Sequence, residues 1–338
     1  MTGQVICAKD VLEALDLISG GRCIKYPHNA FGVGNPFVVT KSSNLPGKAV
    51  TETPGLVCGD PDKPIKKLAV SMTLTESQIE LAGGTGIDAI VTHHPVADAA
   101  SCGGVLLRVY TALYGLALFE LHEAFHGRHP GLAYLHGHAP FRVEINYAGI
   151  PGNVMFVGKA LPEVKTLGDM ILRQSRFMGL DQEQELLALE CKMRQCPSLM
   201  ETNVAVQGKI ILGDQNDPAK NILHIFPHTG FSPDHLRQAK SEHPEIDTVL
   251  VSISRCPDGH PLVKTAAELG LSLLAGNSHA MEIFENGLPL AYALKKLLPG
   301  LEVVIFRERV TSVKLEEAGN QEIRDYAALM VDKHILPA

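Results

Sequence analysis

The segment from Lys67 to Pro95 constrains the fold more than any other part of the chain. Its apolar run LAVSMTL reads as a strand buried on both faces, because apolar residues fill successive positions and not only alternate ones. Thr75-Glu76-Ser77-Gln78 has capping-box spacing, which predicts a helix through Ile79 and Leu81 that ends at Gly83-Gly84. A second short apolar run, Ile87 to Val91, stops at His93-His94-Pro95. Strand, helix and strand in that order make a β-α-β unit with parallel strands. Open parallel sheets hold their ligands at the carboxyl ends of the strands, where the two histidines fall. Neighbouring strand side chains point to opposite faces, so His93 and His94 share one site only if the strand breaks there. A strand-to-loop turn with one capping histidine is the plain alternative.

The same alternation recurs along the chain. Val11, Leu12, Leu15, Leu17 and Ile18 predict an amphipathic helix stopped by Gly20-Gly21, and the Gly/Pro/Asn-rich stretch 26–59 predicts loops with short strands. Between Gly103 and Phe125 two readings fit: a helix broken at Gly115 and followed by a strand, or one helix running on to His126. Residues 164–189 look helical with an acid-rich middle. Beyond them strands near 204–212, 222–226, 248–253 and 271–275 alternate with helices near 235–241 and 263–269, and a further helix begins near Asn277. The expected fold class is α/β. GIDAIVTHHP and GLSLLAGNSHAME echo one another, each delivering a histidine from the end of a strand that follows a helix. Two related α/β lobes facing each other, with a metal site at the seam, are therefore expected: 1–160, a helical connector 161–200, and 201–338.

Composition narrows the function classes. The net charge of −7 comes from interspersed signs without a basic stripe, and aromatic residues make up only 5% with no Trp, so neither a nucleic-acid surface nor a base-stacking platform is expected. The longest apolar stretch, 105–125, is broken by Arg108, Glu120, His122 and Glu123, so no membrane span is expected. The start of the chain lacks a basic region followed by an apolar one, which makes the cytoplasm the expected location. Seven scattered cysteines without a C-x-x-C pair read as buried thiols rather than a disulfide framework or a zinc knuckle.

Histidine carries the chemistry. His122-Glu123-Ala124-Phe125-His126 matches H-E-x-x-H, which on a helix would align two zinc-ligating imidazoles with Glu123 as base. A zinc peptidase also needs a third ligand, and the following Gly127-Arg128-His129 is out of register for one. His279 and Glu282 are spaced to share one face of a helix, with an exposed polar turn as the alternative. His129, His136 and His138 follow Arg128 in a His-rich loop, 127–138, that reads as solvated or as an anion contact. No G-x-x-x-x-G-K-[ST], G-x-G-x-x-G or G-x-S-x-G motif is present.

Together, GLVCGDPDKPIKKLAVSMTLTESQIELA, IDAIVTHHPV, ELHEAFHG and GNSHAMEIFENG resemble the Nif-three-like family, also described as dinuclear-metal-centre hexameric proteins or type 2 GTP cyclohydrolase I homologues. The resemblance runs from Pro54 to Glu308, with little from Leu161 to Ile222. It implies metal ligands at His93, His94, His279 and Glu282, with His122 close by, two divalent transition ions per chain (zinc or iron), and a homohexamer. The family's Asp ligand falls on His126, its usual Asp on Thr73, and its His–Glu spacing is one residue longer than here. Imidazole in place of carboxylate at His126 favours zinc, iron, cobalt or nickel over magnesium or calcium. The added positive charge acidifies bound water and attracts an anionic small molecule. The expected function is a metal-dependent hydrolase acting on a nucleotide-like or phosphoester substrate, with His122 or Glu123 handling protons. The alternatives are a non-enzymatic metal-trafficking or regulatory protein and, third, a zinc metallopeptidase.

Overall fold

The computed structural model describes residues 5–24, 34–42, 47, 49–96, 107–128, 131–143, 154–199, 201–226, 231–253 and 256–335. Two sheets organise them. The first contains β3 (Gly55–Cys58), β4 (Lys67–Ser71), β5 (Ala89–Thr92), β6 (Ala117–Glu120) and β14 (Glu302–Ile305). Their order is β14-β4-β5-β6-β3, parallel except for β3. The second contains β7 (His138–Val143), β8 (Val154–Ala160), β10 (Lys209–Leu212), β11 (Asn221–Phe226), β12 (Thr248–Ile253) and β13 (Ser272–Asn277), in the order β10-β13-β12-β11-β8-β7. Its central strands β11, β12 and β13 are parallel and its outer pairings antiparallel. Two short ladders, β1 (Thr40–Ser42) with β2 (Ala49–Thr51) and β9 (Glu201–Thr202) with β15 (Thr311–Ser312), complete the strands.

Both sheets are covered on both faces, as successive apolar positions require. Val70, Val91 and Phe119 on one face of the first sheet pack against Leu12 and Leu15 of the helix Ala8–Ser19 and Leu290 and Leu294 of the helix Leu288–Leu297. Ala69, Ile90 and Leu118 on the other face meet Ile79 and Ala82. In the second sheet, Leu223, Val249 and Leu273 face Leu236 and Leu262, while Ile222, Leu250 and Leu274 face Leu167 and Met170.

Local chemistry explains most element boundaries. Thr75 caps the helix Glu76–Thr85 reciprocally with Gln78, as the sequence predicts. That helix passes through Gly83-Gly84 and stops only at Gly86, where φ is 69°. Gly83 is used for contact rather than for termination: a Cβ there would lie 2.2 Å from the Tyr114 ring. Gly115, with φ of 61°, separates the helix Leu107–Leu113 from β6, which settles the broken-helix reading.

Sheet membership does not follow a division at 160 and 200. β7 and β8 pair into the second sheet, and β14 returns to the first beside β4. The stretch expected as a connector splits at Gly179 into two helices, Leu167–Met178 and Leu180–Arg194, the first of which is a covering layer of the second sheet. The helix expected from Asn277 begins as a 3₁₀ turn, His279–Met281, followed by a π-helical turn, Ile283–Gly287. This irregular segment leaves β13 of the second sheet and delivers the helix Leu288–Leu297 to the core of the first. It is the structural seam. Among the described residues, no helix is long and apolar enough to cross a membrane.

Candidate metal centre

His93 and His94 follow β5, and their backbone amides bond to the carbonyls of Ser71 and Met72 at the end of β4. His122 and His126 follow β6, the next strand in the sheet. The carboxyl edge of the parallel strands thus gathers four imidazoles. Residues 122–126 form a turn and not a helix, with the amides of Phe125 and His126 both directed at the His122 carbonyl. The helical zinc-peptidase arrangement expected of H-E-x-x-H is therefore absent; the turn brings the rings of His122 and His126 to 4.5 Å by a different route.

The proton positions follow from the partners. His93 Nδ1 donates to the Leu121 carbonyl at 3.0 Å, His122 Nδ1 to Glu52 Oε1 at 3.0 Å, and His126 Nδ1 to Glu123 Oε2 at 2.9 Å. Each acceptor is an oxygen, so in the neutral rings the Nε2 lone pairs are left to face inward. His93 Nε2 and His126 Nε2 lie 3.3 Å apart. Two unprotonated nitrogens at that distance repel unless a cation lies between them. Ligand nitrogens on a tetrahedral ion with bonds of about 2.1 Å are ~3.4 Å apart, which fits. Burial, reinforced by His126 and His94, holds His93 well below the usual imidazole range and keeps it neutral.

A second group adjoins the first. His94 Nε2 and Glu282 Oε2 are 3.3 Å apart, both buried and neither with a hydrogen-bond partner among the described residues. The ligand atoms of His93, His94 and Glu282 lie within 4.8 Å of one another, as do those of His93, His122 and His126 and those of Glu52, His122 and Glu123. Burial opposes ionisation of Glu282, yet His94, His93 and His279 hold its carboxyl well below the usual range. Asn286 Nδ2 steadies its other oxygen at 3.3 Å. The buried donors fit divalent transition ions.

The remaining expected residues are placed as follows. His279 is 34% exposed; its Nε2 is 2.7 Å from His94 Nδ1 and 3.9 Å from Glu282 Oε2, and its Nδ1 is 3.5 Å from Glu308 Oε2. It borders the second group at its exposed side. Thr73 Oγ1 also reaches His94 Nδ1, at 3.0 Å. Ser278, the position aligned with the family histidine when Glu282 is held in register, turns away to donate to the Asn203 carbonyl. Glu123 is not placed as a free base, because it holds His126. Glu52, buried beside His122 and 3.4 Å from the Glu123 amide, is the residue that sequence reasoning missed. The solvated reading of the His-rich loop is corrected as well. His136 and His138 are fully buried, and His129 lies outside the described residues.

The Duf34/NIF3 (NGG1p interacting factor 3) family model matches residues 39–98, which include β4, β5 and the adjacent histidines. The hypothetical protein SA1388 of Staphylococcus aureus is 14% identical, with a TM-score of 0.56 over 90% of this chain and 97% of its own. Reduced HcgD from Methanocaldococcus jannaschii is 17% identical, with a TM-score of 0.53 over 89% and 98%. A Bacillus cereus protein related to NIF3 is 11% identical, with a TM-score of 0.53 over 90% and 97%. No curated protein matches the chain.

Proposed function

Starting from a chain that is Nif3-like, with the NIF3 fold along most of its length, we propose that it holds two divalent transition ions and hydrolyses a small anionic substrate of the nucleotide or phosphoester class. The observation that carries the metal reading is the 3.3 Å approach of two Nε2 atoms whose Nδ1 protons are committed elsewhere. One ion takes His93, His122 and His126; the other takes His94 and Glu282, with His279 at its exposed side. Zinc or iron suits this donor set.

The chain's own residues divide the work. Glu52, Glu123 and the Leu121 carbonyl fix the tautomer and direction of the three imidazoles, the role that partners of metal-bound histidine play generally. Glu123 therefore orients a ligand and does not act as the proton-handling base, and His122 is a ligand. The half-exposed side at His279 and Glu308 is where a substrate reaches the ions, and His279 is the group there able to move a proton. When bound, the ions supply Lewis acidity and water made acidic enough to attack near neutral pH. The excess of imidazole over carboxylate favours an anion.

Metal analysis of the purified protein, joined to a screen of nucleotides and generic phosphoesters with and without chelator, tests this reading. Chelator-sensitive turnover restored by zinc or iron supports it. Stoichiometric metal with no turnover of any phosphoester would transfer the assignment to metal storage or regulation by the same ligands.

A further inference from the structure

A second group of buried histidines lies apart from the centre above, on the second sheet. His138 begins β7 and His224 lies in β11, with β8 running between those two strands. The register pairs His138 with Ala160 and His224 with Phe156, so the two histidines flank position 158 on one face of the sheet. That position is Gly158. A Cβ there would lie 2.5 Å from His138 Nδ1, so the missing side chain is what lets the His138 ring lie across the strand toward His224. Glycine weakens a strand interior, and its presence in one often marks a close approach of this kind. His138 Nε2 ends 3.3 Å from His224 Nδ1.

Two further residues complete the group. His136, in the turn before β7, stacks edge-on against His224 with ring centroids 5.3 Å apart, and its Nε2 is 3.7 Å from Glu285 Oε1. Glu285 belongs to the π-helical turn at the seam, one turn beyond Glu282. All four side chains are buried. The ring spacings of 5.3 and 5.4 Å repeat the 5.2 Å spacings of His93 with His122 and His126. The 3.3 and 3.7 Å ligand-atom separations bracket the ~3.4 Å expected between two donors on one tetrahedral ion. The two pairs are separate as they stand, no three of the four residues having ligand atoms within 4.8 Å of one another, so one ion gathers all four only if a side chain such as His136 rotates.

We propose that His136, His138, His224 and Glu285 form a separate site for one borderline-soft divalent transition ion, of which zinc is the probe. This site is independent of the hydrolase reading. Burial pushes His138 down to about 3 and His224 well below the usual imidazole range, so neither ring carries a positive charge that would repel an ion. A bound ion with three nitrogens and one carboxylate resembles a structural zinc site, closed to substrate.

The test uses the full chain carrying His93→Ala, His94→Ala and His126→Ala, which removes ligands of both ions of the first centre. It is loaded with zinc both in the native state and by refolding from urea, because a fully buried site fills as the chain folds. The proposal expects one zinc per chain to survive desalting, and at least tenfold weaker binding once His224→Phe is added. No zinc in a folded first-centre variant under either loading overturns it, as does zinc that is indifferent to His224→Phe and His138→Phe. If the first-centre variant does not fold, the ion count of His138→Gln/His224→Gln is compared with the parent. A loss of one ion with the cobalt-substituted spectrum of the first centre unchanged supports the site, and an unchanged count overturns it.

Discussion

Glu52 offers the sharpest test of how the imidazoles are held. Its Oε1 accepts from His122 Nδ1 at 3.0 Å, its Oε2 lies 3.4 Å from the Glu123 amide, and the side chain is 2% exposed. In Glu52→Gln the size and an acceptor oxygen are kept while the charge goes, so His122 stays oriented but becomes a weaker donor to the ion. Loss of such a partner typically lowers metal affinity ten- to a hundredfold, and Gln belongs at the lower end, about tenfold or ~1.4 kcal/mol. Glu52→Ala removes the acceptor as well as the charge and belongs at the upper end of that range, near a hundredfold. Competition of each variant against a chromophoric chelator gives the affinities, and circular dichroism confirms folding. Both variants binding zinc like the parent would show that His122 is not a ligand held through Glu52.

Other consequences are open to direct measurement. His126→Asp brings a second carboxylate beside Glu123, which is 2.9 Å from His126 Nδ1, so the chelated protein should melt lower and be rescued by manganese more than by zinc; unchanged melting and selectivity would place His126 outside the site. His93 is buried among the ligands of one ion and has its ligand atom within 4.8 Å of those of His94 and Glu282, whereas His279 only borders the second group, so His93→Ala should remove more metal than His279→Ala; equal losses would contradict that ranking. Chelated protein should lose stability as the pH falls below about 6.5. With His138 lowered from 6.5 to about 3, the unfolded chain takes up its proton first, and this group alone removes about 2 kcal/mol between about pH 7 and about pH 5. A urea midpoint that stays flat over that interval would refute the neutral, buried state of His138.

How far the sequence reached depends on whether a signal was local. Thr75 and Gln78 are three residues apart and cap one helix, and the breaks after Val91 and at Gly115 sit beside the strands they bound, so these features were readable. H-E-x-x-H was readable as a pair of converging histidines but not as a turn. A spacing of four aligns side chains on a helix, and the carboxyl end of β6 achieves the same convergence with a turn. Glu52 left no trace because its partner His122 is distant in sequence. His138 and His224 lie on separate strands far apart in sequence, and only the pairing of β7, β8 and β11 brings them together. The return of β14 to the first sheet is likewise a matter of register and not of composition.

The carboxyl edge of the first sheet and the seam together are expected to hold metal. Elemental analysis of the parent protein beside His93→Ala/His94→Ala/His279→Ala, both expressed with zinc and iron supplied and both shown to be folded, tests it most directly. The triple variant should lack roughly two transition ions per chain that the parent holds. Equal metal content in the two proteins would contradict it.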